Sequence, residues 1–166
     1  MTASVPPHLD FWCDLQCPDC RAALADVAAL RGRFGPELVV ELRHFPLEKH
    51  KNAHLAGQAA EEARAQGSLW PFVEAVLART DELAAAKGAA VEGFLVEAAR
   101  SVGLDADEVE LALIDGRHIL QVDADDIEGS AIGVKVTPTY GVGGKLLDGR
   151  RDRTGLRARV EALLAG

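Results

Sequence analysis

The chain changes hydrophobic rhythm three times. His8 to Cys13, HLDFWC, reads as a short strand running into a cysteine-rich loop. Pro18 stands where a helix begins, because its fixed φ suits a first turn and its missing N–H costs nothing there. Cys20 through Arg33, CRAALADVAALRGR, is helical in composition, and Gly35-Pro36 stops it. Leu38 to Phe45, LVVELRHF, is a second strand closed by Pro46. Strand, helix and strand in this order open an α/β domain.

From about Ala53 to Gly129 the apolar positions take helical spacing, broken at Gly67-Ser68, Lys87-Gly88, Gly103 and Gly116. This predicts four or five short helices in a module of roughly 70 residues. Ser68 is the expected cap of a helix containing Trp70 and Phe72, with Pro71 tolerated in its first turn. Strand character returns from Val134 to Val142, VKVTPTYGV. Gly143-Gly144 supplies positive φ for a hairpin turn, and Lys145-Leu146-Leu147 starts the returning strand. Thr154 is expected to cap a last amphipathic helix ending near Leu164. The run Asp123-Ala124-Asp125-Asp126 reads as a solvated helix face, and His50 and His54 as solvated residues opening the helical module.

Length and composition narrow the classes. A chain of 166 residues is one domain of ordinary size, and 48% apolar residues suffice for a core. No apolar run approaches the roughly 20 residues of a spanning helix. A net charge of −8 disfavours nucleic acid or an anionic membrane surface as partner. The first residues, MTASVPPHLDFW, show neither a basic nor an apolar leader segment, so the expected compartment is the cytoplasm. All three cysteines fall within Cys13 to Cys20, too clustered to staple a fold and suited instead to catalysis or metal binding.

That segment, CDLQCPDC, fits more than one chemistry. As C-x3-C-x2-C it matches the iron–sulfur loop of radical S-adenosylmethionine enzymes. With one of His44, His50 or His54, the three cysteines would make a zinc site, although no histidine has the usual short spacing to them. As C-x-x-C it is a redox dithiol. Cys17 at a helix N-cap would aim its sulfur at unpaired backbone N–H groups, which favours the thiolate and makes it the nucleophile. Cys20 lies one turn further on the same face, near enough to close a disulfide. The proline of Val136-Thr137-Pro138-Thr139 sits in an apparent strand, where it removes a ladder donor. It makes sense if the Thr137–Pro138 bond is cis, packed on the cysteine loop and leaving backbone free for a substrate peptide.

Four segments resemble the DsbA-like thioredoxin-fold disulfide oxidoreductases: DLQCPDC, RHFPL, QGSLWPF and IGVKVTPTYGVGGK, in that order along nearly the whole chain. The resemblance implies an α/β thioredoxin-like fold with a mixed central sheet. Residues 1–51 and 119–166 would form its discontinuous core, and 52–118 an inserted all-helical module. It further implies Cys17 as attacking sulfur, Cys20 as resolving sulfur and Pro138 as the cis-proline, with Pro18, Asp19 and Thr137 also meeting the substrate. Substrates would be protein or low-molecular-weight thiols and disulfides. The exchange itself needs no cofactor, and a thioredoxin-like protein or small thiol would recycle the dithiol.

Two positions depart from the family pattern. Asp19 stands where histidine or an aromatic residue is common, and its carboxylate opposes the thiolate, so Cys17 is expected to be less acidic than in strongly oxidising relatives. Cys13 has no task in a two-thiol mechanism; it is either a small buried residue or a third redox thiol. The iron–sulfur alternative would need a β/α barrel, and the chain lacks that repeated alternation.

Overall fold

The structure is a computed structural model describing residues 5–150 and 153–165, with 153–156 known by backbone alone. β1 (His8–Cys13) is central: it pairs in parallel with β2 (Val39–His44) and antiparallel with β3 (Thr139–Val142). β3 pairs antiparallel with β4 (Lys145–Asp148), giving the sheet order β2-β1-β3-β4. The alternation of β1 divides its side chains between two faces. Leu9, Phe11 and Cys13 join the main core, whereas Trp12 packs on the other face with Phe45 and Val134.

α1 (Pro18–Phe34) returns the chain from β1 to β2 and lies on the first face. Its buried stripe is Cys20, Ala23, Val27 and Leu30, at the spacing of one helix side. The opposite face is covered by α7 (Ile119–Ile132), whose Gly129 lets the helix reach the sheet. A Cβ at Gly129 would stand 2.8 Å from Trp12 Cζ3 and 3.0 Å from Phe45 Cδ2.

Between β2 and α7 run α2 (Ala53–Ala65), α3 (Leu69–Leu77), α4 (Thr80–Ala85), α5 (Ala89–Ser101) and α6 (Ala106–Asp115). The helical region thus holds six helices rather than four or five. Four breaks fall at the glycines read from the sequence. The break before α4, at Arg79, uses neither glycine nor proline and leaves no sequence mark. α2 is nearly all buried, which its alanines permit by letting neighbours approach closely. Its buried carboxylates are paired: Glu61 Oε1 with His44 Nε2 at 2.7 Å and with the Arg64 guanidinium, Glu62 with His118 at 2.7 Å.

Several local expectations are corrected. Ser68 occupies the N-cap of α3, but its side chain makes no capping hydrogen bond. β3 begins at Thr139, not Val134. The chain before it bends at a cis Thr137–Pro138 bond, and the Thr139 hydroxyl donates to Val136 O at 2.6 Å across the bend. Asp125 is not solvated; it is buried, accepts the His44 backbone N–H at 3.1 Å and pairs with Arg43. His50 precedes α2 and bonds Asp14, while His54, inside α2, bonds Asp123. The final helix α8 spans Arg153–Ala165, and the capping expected of Thr154 concerns a side chain outside the described residues. Among the described residues no helix is long and apolar enough to cross a membrane.

Candidate active site: the dithiol loop and the Thr-Pro bend

The loop after β1 is organised by Asp14. Its carbonyl accepts the Cys17 N–H at 3.0 Å and its Oδ1 accepts the Gln16 N–H at 2.8 Å, which folds the chain tightly into α1. Its Oδ2 accepts the Leu47 N–H at 2.8 Å and bonds His50 Nδ1 at 2.8 Å, tying the loop to the segment after β2. Cys17 thereby becomes the N-cap of α1 in extended backbone geometry, with Pro18 at the first helical position. Cys20, one turn in, is fully buried, and its Sγ accepts the Asp14 N–H at 3.4 Å. All three cysteines are free thiols.

The chain's far end completes the site. Cys17 Sγ donates to the Thr137 carbonyl at 3.6 Å, joining residues 120 positions apart. A groove of about 440 Å³ opens beside it, lined in part by Cys17, Asp19, Lys49, Lys135, Thr137 and Arg150. Pro18 and Asp19 are exposed at the helix start, while Pro138 is buried behind Thr137 with its carbonyl accepting the Gly149 N–H at 2.8 Å. Thr137 is buried, and apart from its nearness to the Cys17 thiol its Oγ1 has no hydrogen-bond partner among the described residues. Cys13 lies beneath the pair, on the strand side of Cys20.

The electrostatics depart from the helix-terminus expectation. The sulfur of Cys17 makes no well-formed capping hydrogen bond, although the Cys20 backbone N–H lies near it. The neighbouring Cys20 thiol and burial push the Cys17 thiol well above its ordinary range, and the nearby Thr137 hydroxyl and Cys20 backbone N–H only partly offset this. The expected lowering of its pKa is therefore reversed in the reduced protein. The largest cause is the adjacent Cys20 sulfur, followed by burial. Burial raises Cys20 and Cys13 as well.

Sequence reading missed Asp14, Lys49, Lys135 and Arg150, and took His50 for a candidate zinc ligand or a solvated residue. Asp14 lies inside the cysteine segment, but nothing local marks a carboxylate as buried. The lysines and Arg150 reach the groove only through the fold. Arg150 is kept charged chiefly by its hydrogen bond to Asp148, with lesser help from Asp19. Among the described residues, the donor atoms that lie within 4.8 Å of one another in a metal-compatible group belong to His44, Glu61 and Asp125, and the group includes no cysteine. Arg43 and Arg64 already neutralise those carboxylates, so the cluster is a closed ion-pair network. The three histidines of the zinc alternative are engaged elsewhere: His44, His50 and His54 bond Glu61, Asp14 and Asp123. The barrel required by the iron–sulfur alternative is replaced by a four-stranded sheet.

A mixed four-stranded sheet, helices on both faces and a C-x-x-C pair at a helix start beside a Thr-Pro bend define a thioredoxin-like fold. The family model described as Thioredoxin matches residues 3–162, and the chain belongs to this family. BdbD from Bacillus subtilis overlays with a TM-score of 0.79 at 21% identity, covering 99% of this chain and 91% of that one. A thioredoxin-like oxidoreductase from Silicibacter pomeroyi gives 0.72 at 26% identity, covering 96% and 87%. Among curated relatives, the Na(+)/H(+) antiporter NhaA of Herminiimonas arsenicoxydans is 31% identical over 153 residues, 92% of this chain and 23% of that protein. The chain thus spans about a quarter of the length of the curated relatives it matches.

Proposed function

We propose that the chain is a thiol–disulfide oxidoreductase acting through Cys17 and Cys20. The Cys17 thiolate attacks a substrate disulfide, forms a mixed disulfide and expels one substrate thiolate. Cys20, as thiolate, then attacks the Cys17 sulfur, closing the Cys17–Cys20 disulfide and releasing the second substrate thiolate. The reverse sequence donates the disulfide to a substrate dithiol. The observation that carries this reading is the approach of Cys17 Sγ to the Thr137 carbonyl, which sets a sulfur and strand-like backbone side by side on one groove. Pro18 and Asp19 form one rim, Thr137 the other, and Pro138 backs it.

Substrates are protein or low-molecular-weight thiols and disulfides, and a thioredoxin-like protein or small thiol resets the pair. Lys49, Lys135 and Arg150 outnumber Asp19 and Glu48 around the groove, a small cationic excess on a chain of net charge −8, which favours substrates carrying carboxylates near the reacting sulfur. The test is trapping: Cys20→Ala should accumulate a mixed disulfide at Cys17 with a disulfide peptide, seen by mass spectrometry. Wild type should instead turn over, and Cys17→Ala should do neither. Turnover by Cys17→Ala at the wild-type rate would sink the assignment.

A further inference from the structure

Cys13 is unused in the two-thiol cycle, yet its placement is specific. Strand alternation turns it toward α1, with Leu9 and Phe11, and the helical stripe turns Cys20 back toward the strand. Cys20 Sγ rests 3.4 Å from the Asp14 nitrogen, which is the peptide bonded to Cys13 itself. Cys13, Cys17 and Cys20 sit in one buried cluster, and the Cys13 and Cys17 thiols each lie near enough to the Cys20 thiol to shift its proton affinity. Cys20 is thus the middle of three neighbouring sulfurs, with an outer partner facing the groove and an inner partner on β1.

We propose that Cys20 has two disulfide partners, and that the oxidised chain isomerises between a Cys17–Cys20 and a Cys13–Cys20 disulfide. The inference rests on the reading of Cys17 and Cys20 as the redox pair. Cys13 loses its proton, and its thiolate attacks Cys20 Sγ along the existing disulfide. The Cys13–Cys20 bond forms as the Cys20–Cys17 bond breaks, and Cys17 leaves with the bonding electron pair and takes up a proton. One disulfide and one thiol are present before and after, so no outside oxidant or reductant is consumed. The two forms behave differently. With Cys17–Cys20 closed, the groove presents a disulfide for donation. With Cys13–Cys20 closed, it presents a thiol whose resolving partner is occupied, so a mixed disulfide formed at Cys17 persists. Oxidation held on buried sulfurs is a stored second state of the same site.

The test follows the single thiol left in the oxidised wild-type protein. The protein is oxidised with glutathione disulfide, freed of reagent, incubated at about pH 8, and alkylated after denaturation in acid-quenched aliquots. Fragmentation mass spectrometry then locates the label. The label should start on Cys13 and move in part to Cys17, at a rate rising about tenfold per pH unit because the attacking thiolate is the minor form. A label that stays wholly on Cys13 after overnight incubation overturns the proposal. In Cys17→Ala, checked as folded by circular dichroism, mild oxidation should take the two remaining thiols to none in a monomer. If the wild-type label moves but this variant keeps both thiols, Cys20 does not pair directly with Cys13 and the proposal also fails. Failure of wild type to form any Cys17–Cys20 disulfide would instead defeat the function proposed above, while closure in Cys17→Ala would still support the Cys13–Cys20 pairing.

Discussion

Asp14 Oδ2 accepts the backbone N–H of Leu47 at 2.8 Å, so one buried carboxylate locks the dithiol loop to the segment that leaves β2. The same oxygen bonds His50 and the other oxygen holds Gln16, so three partners depend on it. Asp14→Asn keeps the shape but turns one acceptor into a donor facing donors. We expect a loss of roughly 2–3 kcal/mol in urea unfolding, together with faster alkylation of Cys20 in the native state. An unchanged unfolding midpoint would show that the carboxylate's charge is dispensable.

The Cys20 sulfur is the largest cause holding the Cys17 thiol up. Removing it in Cys20→Ala should lower the Cys17 pKa and accelerate its reaction with iodoacetamide several-fold at about pH 7. In wild-type reduced protein the same reaction should climb with pH through the neutral range without levelling. A slower Cys20→Ala variant would mean that Cys20 instead donates to a Cys17 thiolate.

The pairing of Glu61 makes stability depend on acid. Burial alone would raise its carboxyl, but His44 and Arg64 outweigh burial and leave its pKa below the ordinary 4.5. A carboxyl depressed by folding adds stability above its unfolded pKa. That contribution is lost as pH falls through the lower folded value. The urea midpoint of wild type should therefore fall as pH drops below about 4.5. Glu61→Gln should start lower near neutrality and lose less over the same range; parallel curves would contradict the assignment.

Gly129 is the point where α7 touches Trp12. Gly129→Ala must displace an aromatic ring in a packed layer, at a cost of about 1–3 kcal/mol despite the better helix propensity of alanine. Denaturant unfolding measures it, and a stabilised variant would mean that the layer yields easily.

Lys135 faces the groove with an exposed ammonium group. Lys135→Glu should slow reaction with glutathione disulfide, an anion, a few-fold at low salt, with the difference shrinking as salt is added. A neutral disulfide should be little affected. Equal slowing of both would point to a disturbed loop rather than a changed field.

The strand–helix–strand opening was legible because its signals are local: alternation in HLDFWC, Pro18 at a helix start, and Gly35-Pro36 at its end. The helix breaks at glycines were legible for the same reason, and the one at Arg79 was not. The placement of Cys17 and Cys20 on one helical turn followed from spacing alone. What stayed hidden depends on partners far along the chain. Asp125 looks solvated until β2 brings a backbone N–H and Arg43 to it. Asp14 looks like a loop carboxylate until Leu47 and His50 arrive. The direction of the Cys17 shift was misread for a related reason: the spacing named a helix terminus but said nothing of how deeply the pair is buried.

The position of β1 has one more consequence. It is one of two strands with neighbours on both sides, the other being β3, and the loop holding the sulfurs continues directly from it. Central strands open to hydrogen exchange only with the whole domain, whereas edges and termini fray independently. Amide deuteration should therefore be slowest at Phe11 and Trp12, a few residues from the most reactive group in the chain. Chemistry at Cys17 is then bolted to the segment that unfolds last, and turnover proceeds without local melting of its own support.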